Sequence, residues 1–158
     1  MADGERYALA HLFGTARQEL INHVPHVRGL GMEVVEVGPR RARVRLPYRD
    51  ELVGDPLRKV VFGGVITTLI DHAAGLSVFC SLEELRGIAT LDLRIDYMKP
   101  ATPGRDIVGY CRCYKVTRNI AFVRGVAYHD TADDPIATMV ASFMLGANRA
   151  MPGVYAGA

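Results

Sequence analysis

The sequence predicts an α+β fold in which a large antiparallel sheet wraps one long apolar helix. Three observations carry this. Residues 63–82 form a helical run that is apolar nearly all round, the pattern of a helix buried on most sides. Four strand-like runs follow it: 88–97 (IATLDLRIDY), 106–116 (DIVGYCRCYKV), 120–128 (IAFVRGVAY) and 136–145 (IATMVASFML). Turn residues at Pro100 to Gly104, Thr117 to Asn119 and Asp130 to Pro135 keep the connections short, so the strands are expected to meander antiparallel.

The remaining elements follow in chain order. Residues 5–23 carry Leu9, Leu12, Phe13, Ala16, Leu20 and Ile21 at helical spacing, with Gly14 as a weak point. Pro25 is expected to end that helix. Residues 30–46 (LGMEVVEVGPRRARVRL) are split by Gly38-Pro39 into two strands of a hairpin. In the second strand Ala42, Val44 and Leu46 alternate with Arg41, Arg43 and Arg45, one face for the core and one for water. Residues 47–59 (PYRDELVGDPLRK) read as a loop. The expected organisation is one domain over 1–158, with 1–24 as an N-terminal helical segment and 148–158 as a flexible tail.

Composition narrows the function classes. The chain has 158 residues, 49% hydrophobic and 23% charged, enough for a core that needs no disulfide or metal staple. A net charge of +2 gives no general pull toward nucleic acid or an acidic membrane. Cys80, Cys111 and Cys113 are an odd set without a C-x-x-C pair, which points to reduced thiols and a cytoplasmic protein rather than a metal site. No basic, then apolar, leader opens the sequence, and no run of 18 apolar residues occurs. The expectation is therefore a cytoplasmic protein with no nucleic-acid or membrane partner, no metal and no cofactor.

The long helix carries the chemistry. Gly64, Thr68, Asp71 and Gly75 are spaced i, i+4, i+7, i+11 and form one stripe of small and polar residues. Ile66, Leu69, Ile70, Ala73 and Leu76 lie elsewhere and can face the sheet. Asp71 is the only charge on the stripe. Either it is structural, bonded to Thr67, Thr68 or a cation, or it is a general base or nucleophile in a partly apolar groove. Gly63-Gly64 opens the helix, where unpaired N–H groups and the positive dipole end can stabilise an oxyanion and glycine lets a ligand come close. The alternative is that the pair only permits a tight turn.

Distance links the two features. At ~1.5 Å per residue, the eight residues from Gly63 to Asp71 span ~12 Å, whereas reaction needs both groups ~3 Å from the reacting atoms. If both act, the expected arrangement is a C2 dimer with antiparallel central helices, Gly63 of one chain facing Asp71 of the other.

Several segments together resemble the hotdog-fold acyl-CoA thioesterases of the PaaI-like and 4-hydroxybenzoyl-CoA thioesterase type. They are LGMEVVEVGPRRARVRLP, VGDP, FGGVITTLIDHAAG, ATLDLRIDYMKPATPG and IATMVASFML, in family order and covering residues 20–147. The resemblance implies a hotdog fold, a homodimer joined sheet edge to sheet edge, often paired into a homotetramer, and hydrolysis of an acyl-CoA to a carboxylic acid and free CoA. It implies that Asp71 attacks the thioester carbonyl or activates water, that the Gly63 N–H polarises the carbonyl with Gly64 beside it, and that Thr90 helps hold the water. Asp55 falls where relatives often carry a substrate-orienting Asn, and Phe62 where they usually carry His. Phe62, Asp55 and Thr68 are thus the expected substrate-contacting residues.

Two other functions fit parts of this pattern. A binding-only acyl-CoA module would tolerate Phe62. A dehydratase or hydratase would need an acid and a histidine working together, and His72, adjacent on the helix, points about 100° away from Asp71. His72 is therefore read as a packing or interface residue. Lys99, Lys115 and Arg118 are candidates to meet CoA phosphates.

Overall fold

The computed structural model describes residues 23–146, together with Ala10 and Glu19. The expected N-terminal helix and the tail at 148–158 lie almost wholly outside these residues. The elements are α1 (Pro25–Gly29), β1 (Glu33–Gly38), β2 (Arg41–Leu46), a 3-10 turn (Asp50–Leu52), β3 (Val53–Asp55), β4 (Val60–Val61), α2 (Gly63–Phe79), β5 (Ile88–Tyr97), β6 (Ile107–Val116), β7 (Ile120–Tyr128) and β8 (Ala137–Leu145). β1, β2, β6, β7, β8 and β5, in that order, form one antiparallel sheet, and α2 packs along it, mainly on β2, β6 and β7. This is the hotdog arrangement.

The buried side of α2 is the one its spacing predicts. Ile66, Leu69, Ile70, Ala73 and Leu76 are all buried. They meet the inward residues of the strands, among them Ala42, Val44, Leu46, Cys111, Val123 and Phe143. Arg41 and Arg43 both pair with Glu36 of β1, and Arg45 pairs with Glu33 and Asp106, so the arginine face of β2 is wet and ion-paired as its alternation implies. Cys111 and Cys113 point inward together, and all three cysteines are free thiols. Burial pushes the Cys80 thiol up to about 12, which makes it a poor nucleophile.

Three expectations need correction, and one element was missed. Pro25, expected only as a helix stop, begins α1: it sits in its first turn, where its missing N–H costs nothing and its fixed φ suits the helix; the helix it was expected to end lies outside the described residues. The 47–59 segment is not an open loop, since β3 within it pairs with β4 just beyond its end. α2 stops at Phe79 rather than 82; Ser77 and Ser81 donate their hydroxyls to main-chain carbonyls there and compete with the helix. Lastly, β5 does not neighbour β6 but lies at the sheet edge beyond β8, paired with it from Ile88↔Leu145 to Tyr97↔Ala137. Crossing three strand spacings takes ~14 Å, and the link from Met98 to Asp106 reaches that easily at ~3.3 Å per residue. A short connection did not require adjacency. β6, β7 and β8 do form the expected meander.

The hairpin turn shows how local strain is held. Arg40 adopts a positive φ of 62°, a conformation costly for a residue with a Cβ. Its backbone bonds Cys80 and Cys113, and its guanidinium donates to the Cys113 carbonyl at 3.0 Å. Among the described residues no helix is long and apolar enough to cross a membrane.

Candidate active site

The α2 stripe stays open where the sheet does not cover it. Asp71 is half-buried on it, and β5, arriving alongside, sets the Thr90 hydroxyl to donate to Asp71 Oδ1 at 2.9 Å. The two residues line a cleft of about 190 Å³ with His72, Gly75, Phe79 and Ile88. The structural alternatives for Asp71 find no support here. Thr68 donates instead to the Gly64 carbonyl at 3.0 Å, and the Thr67 hydroxyl lies 3.2 Å from the Gly63 carbonyl. Among the described residues no cation pairs with Asp71, and Oδ2 has no partner. A half-buried acid with one fixed oxygen and one free oxygen, beside a hydroxyl, can hold and deprotonate a water or attack an electrophile.

The glycine pair lies at the other end of the stripe. Gly63 and Gly64 are the first two residues of α2, and their N–H groups have no acceptor among the described residues; the third, on Val65, bonds the Phe62 carbonyl at 3.0 Å. Gly63 borders a second cleft of about 460 Å³, with Ile66, Tyr97, Met98, Lys99 and Pro100. Tyr97 donates its hydroxyl to the Gly63 carbonyl at 2.6 Å and lies 2.8 Å from the Thr67 hydroxyl. Asp71 and Gly63 therefore border separate clefts of one chain.

Phe62 is the residue before the helix, 59% exposed, with its ring folded back. A methyl group at Gly64 would stand 2.5 Å from that ring, and one at Gly54 2.9 Å from the Phe62 Cα. Both glycines thus exist partly to seat Phe62. Asp55 turns onto its own loop: Oδ1 accepts the Leu57 and Arg58 N–H groups at 3.0 and 3.1 Å. It lines neither cleft. Of the basic candidates, Lys99 borders the larger cleft and pairs with Asp134; Lys115 is exposed; and the Arg118 carbonyl accepts from Arg86. The contact of the Tyr97 hydroxyl with the Gly63 carbonyl was not foreseen from sequence. The available signal was a hydroxyl at the end of the strand preceding Met98-Lys99-Pro100.

His72 lines the Asp71 cleft without bonding Asp71. Its Nε2 is sealed from solvent with no partner, and burial lowers its pKa to about 4. The ring is neutral at pH 7. Folding keeps His72 unprotonated between its ordinary 6.5 and about 4, while the unfolded chain takes up a proton there. Stability present above pH 6.5 is therefore lost as pH falls toward 4, by on the order of 3 kcal/mol. Urea denaturation at pH 7.5 and 4.5 should show a smaller acid loss in His72→Gln than in the wild type.

Comparison with known proteins agrees with this architecture. A family model described as the thioesterase superfamily matches residues 58–136, the stretch that contains both clefts' central residues. The chain is 34% identical over 109 residues to a Halobacterium salinarum protein named as an esterase, covering 66% of this chain and 71% of that one. It is 29% identical over 139 residues to the medium/long-chain acyl-CoA thioesterase YigI of Escherichia coli, covering 80% and 88%. A crystal structure from Pseudomonas aeruginosa is 42% identical, with a TM-score of 0.72 over 80% of this chain and 96% of that one. The phenylacetic acid degradation protein PaaI of Thermus thermophilus, 21% identical over 77% of this chain and 98% of that one at a TM-score of 0.67, shares the fold. The chain belongs to the thioesterase superfamily, and its chemistry is thioester hydrolysis.

Proposed function

We propose that this protein hydrolyses acyl-CoA thioesters in the cytoplasm, as a homodimer that can pair again into a homotetramer, each active site taking Asp71 from one chain and Gly63-Gly64 from the other. The observation that carries the reading is the Asp71–Thr90 hydrogen bond in one cleft, with Gly63, at the far end of the helix, bordering another. β5 supports the pairing. It is an edge strand with most of its residues exposed, Leu91 and Tyr97 among them, and an unpaired edge invites another strand. Two β5 edges meeting about a two-fold axis would run the α2 helices antiparallel and bring each glycine pair to a partner's acid.

The chemistry then follows from the charges. The Gly63 and Gly64 N–H groups donate to the thioester oxygen and stabilise the negative charge that forms on it. A water between Asp71 and Thr90 loses a proton to Asp71 as it adds to the carbonyl carbon; direct attack by Asp71 would give an anhydride that water then opens. Collapse of the intermediate breaks the C–S bond, and the CoA thiolate recovers the proton. The products are a carboxylic acid and CoA. A hydratase pairing is disfavoured by the absence of any bond between His72 and Asp71.

The similarity to YigI makes medium- and long-chain acyl groups the first substrates to try. Thiol release from short, medium, long and aromatic acyl-CoAs tests the reading. Release from at least one class, lost in Asp71→Asn, supports it; CoA binding without release from any would overturn it.

A further inference from the structure

We propose that Tyr97 is a positioning residue whose hydroxyl, backed by Thr67, fixes and polarises the Gly63–Gly64 peptide so that the Gly64 N–H is a strong donor in the active site. The inference rests on the thioesterase reading and adds a residue to it.

The argument begins with the peptide group. The Gly63 carbonyl and the Gly64 N–H belong to one planar unit. A donor on that oxygen draws electron density from the nitrogen and makes the N–H more positive. Tyr97 donates to the oxygen at 2.6 Å. That commits its single proton. Thr67 also has one proton, and the nearer acceptor is Tyr97 at 2.8 Å rather than the Gly63 oxygen at 3.2 Å. The result is a relay from Thr67 to Tyr97 to the Gly63 carbonyl, in which each bond strengthens the next.

The device answers a problem set by the glycines themselves. Two glycines at a helix start give a ligand room but leave the backbone its greatest freedom, and no side chain caps this helix. A mobile peptide cannot offer preorganised donors. Tyr97 comes from a different element, β5, so it ties the helix start to the sheet. The fit is close: a methyl group at Gly63 would lie 3.1 Å from the Tyr97 hydroxyl.

The test is Tyr97→Phe in the full-length protein, which removes the hydroxyl and keeps the ring. Two readouts are taken together: the amide nitrogen resonance of Gly64 in ¹⁵N-labelled protein, and steady-state kinetics on the best acyl-CoA. The Gly64 nitrogen should move upfield while that of Gly75 stays. The kcat should fall roughly tenfold with KM within about twofold. Thr67→Val should shift both readouts the same way by less. An unmoved Gly64 resonance, or a kcat at the wild-type level, overturns the proposal. Wild-type protein that hydrolyses no acyl-CoA would remove the thioesterase reading instead, and the Gly64 resonance would still decide the role of the hydroxyl.

Discussion

Replacing Asp71 by Asn is expected to lower kcat at least about 10²-fold, or about 2.7 kcal/mol of transition-state stabilisation. The change is nearly isosteric. Its amide oxygen can still accept the Thr90 hydroxyl, now 2.9 Å from Oδ1, so the cleft should keep its shape. What disappears is the basicity of the second oxygen. KM should change little, because the substitution removes an interaction made in the transition state and not in binding. Folding should be nearly unaffected, since among the described residues no cation depends on this carboxylate. Stopped assays for free thiol with a thermal melt beside them separate the outcomes. Equal turnover in both proteins would remove Asp71 from the reaction.

A comparable loss, about 10²–10³-fold in kcat, is expected from Gly63→Pro. Proline deletes the N–H and is tolerated at the first position of a helix. The backbone already suits it: Phe62 sits at φ −61° and ψ 131°, the extended range that a residue before proline prefers. The added ring carbons must push the Tyr97 hydroxyl by a few tenths of an ångström, because even a methyl group at Gly63 would approach it to 3.1 Å. Gly63→Ala is the control. It makes the same contact and keeps the N–H, so it should lose far less than proline. Equal losses in the two variants would assign the effect to crowding and not to the donor.

Much of the fold was legible because single segments carried it. The apolar side of α2, the alternation in β2 and the ends of β5 and β7 follow from local periodicity alone. The place of β5 at the sheet edge did not, because strand order is set by which faces can be buried together and the sequence between Met98 and Asp106 is long enough for several answers. Pro25 shows a similar ambiguity: proline stops one helix and starts another with the same chemistry, and only the following residues choose. At the site, the resemblance pointed to Asp71 and Thr90, and the structure brings them together, nineteen residues apart in the chain. Tyr97 and Thr67 escaped because their partner is a backbone carbonyl, which no residue pattern advertises. Asp55 was expected at the substrate from its position in VGDP, yet its carboxylate caps the turn that follows it.

The ~12 Å between Gly63 and Asp71 on one helix makes a shared site the central claim. Heterodimers of Asp71→Asn and Gly63→Pro subunits test it most directly. Each parent homodimer has two damaged sites. In a heterodimer carrying two different affinity tags, one site receives both lesions and the other neither, so about half the wild-type activity should return. Purified heterodimers as inactive as their parents would contradict the account.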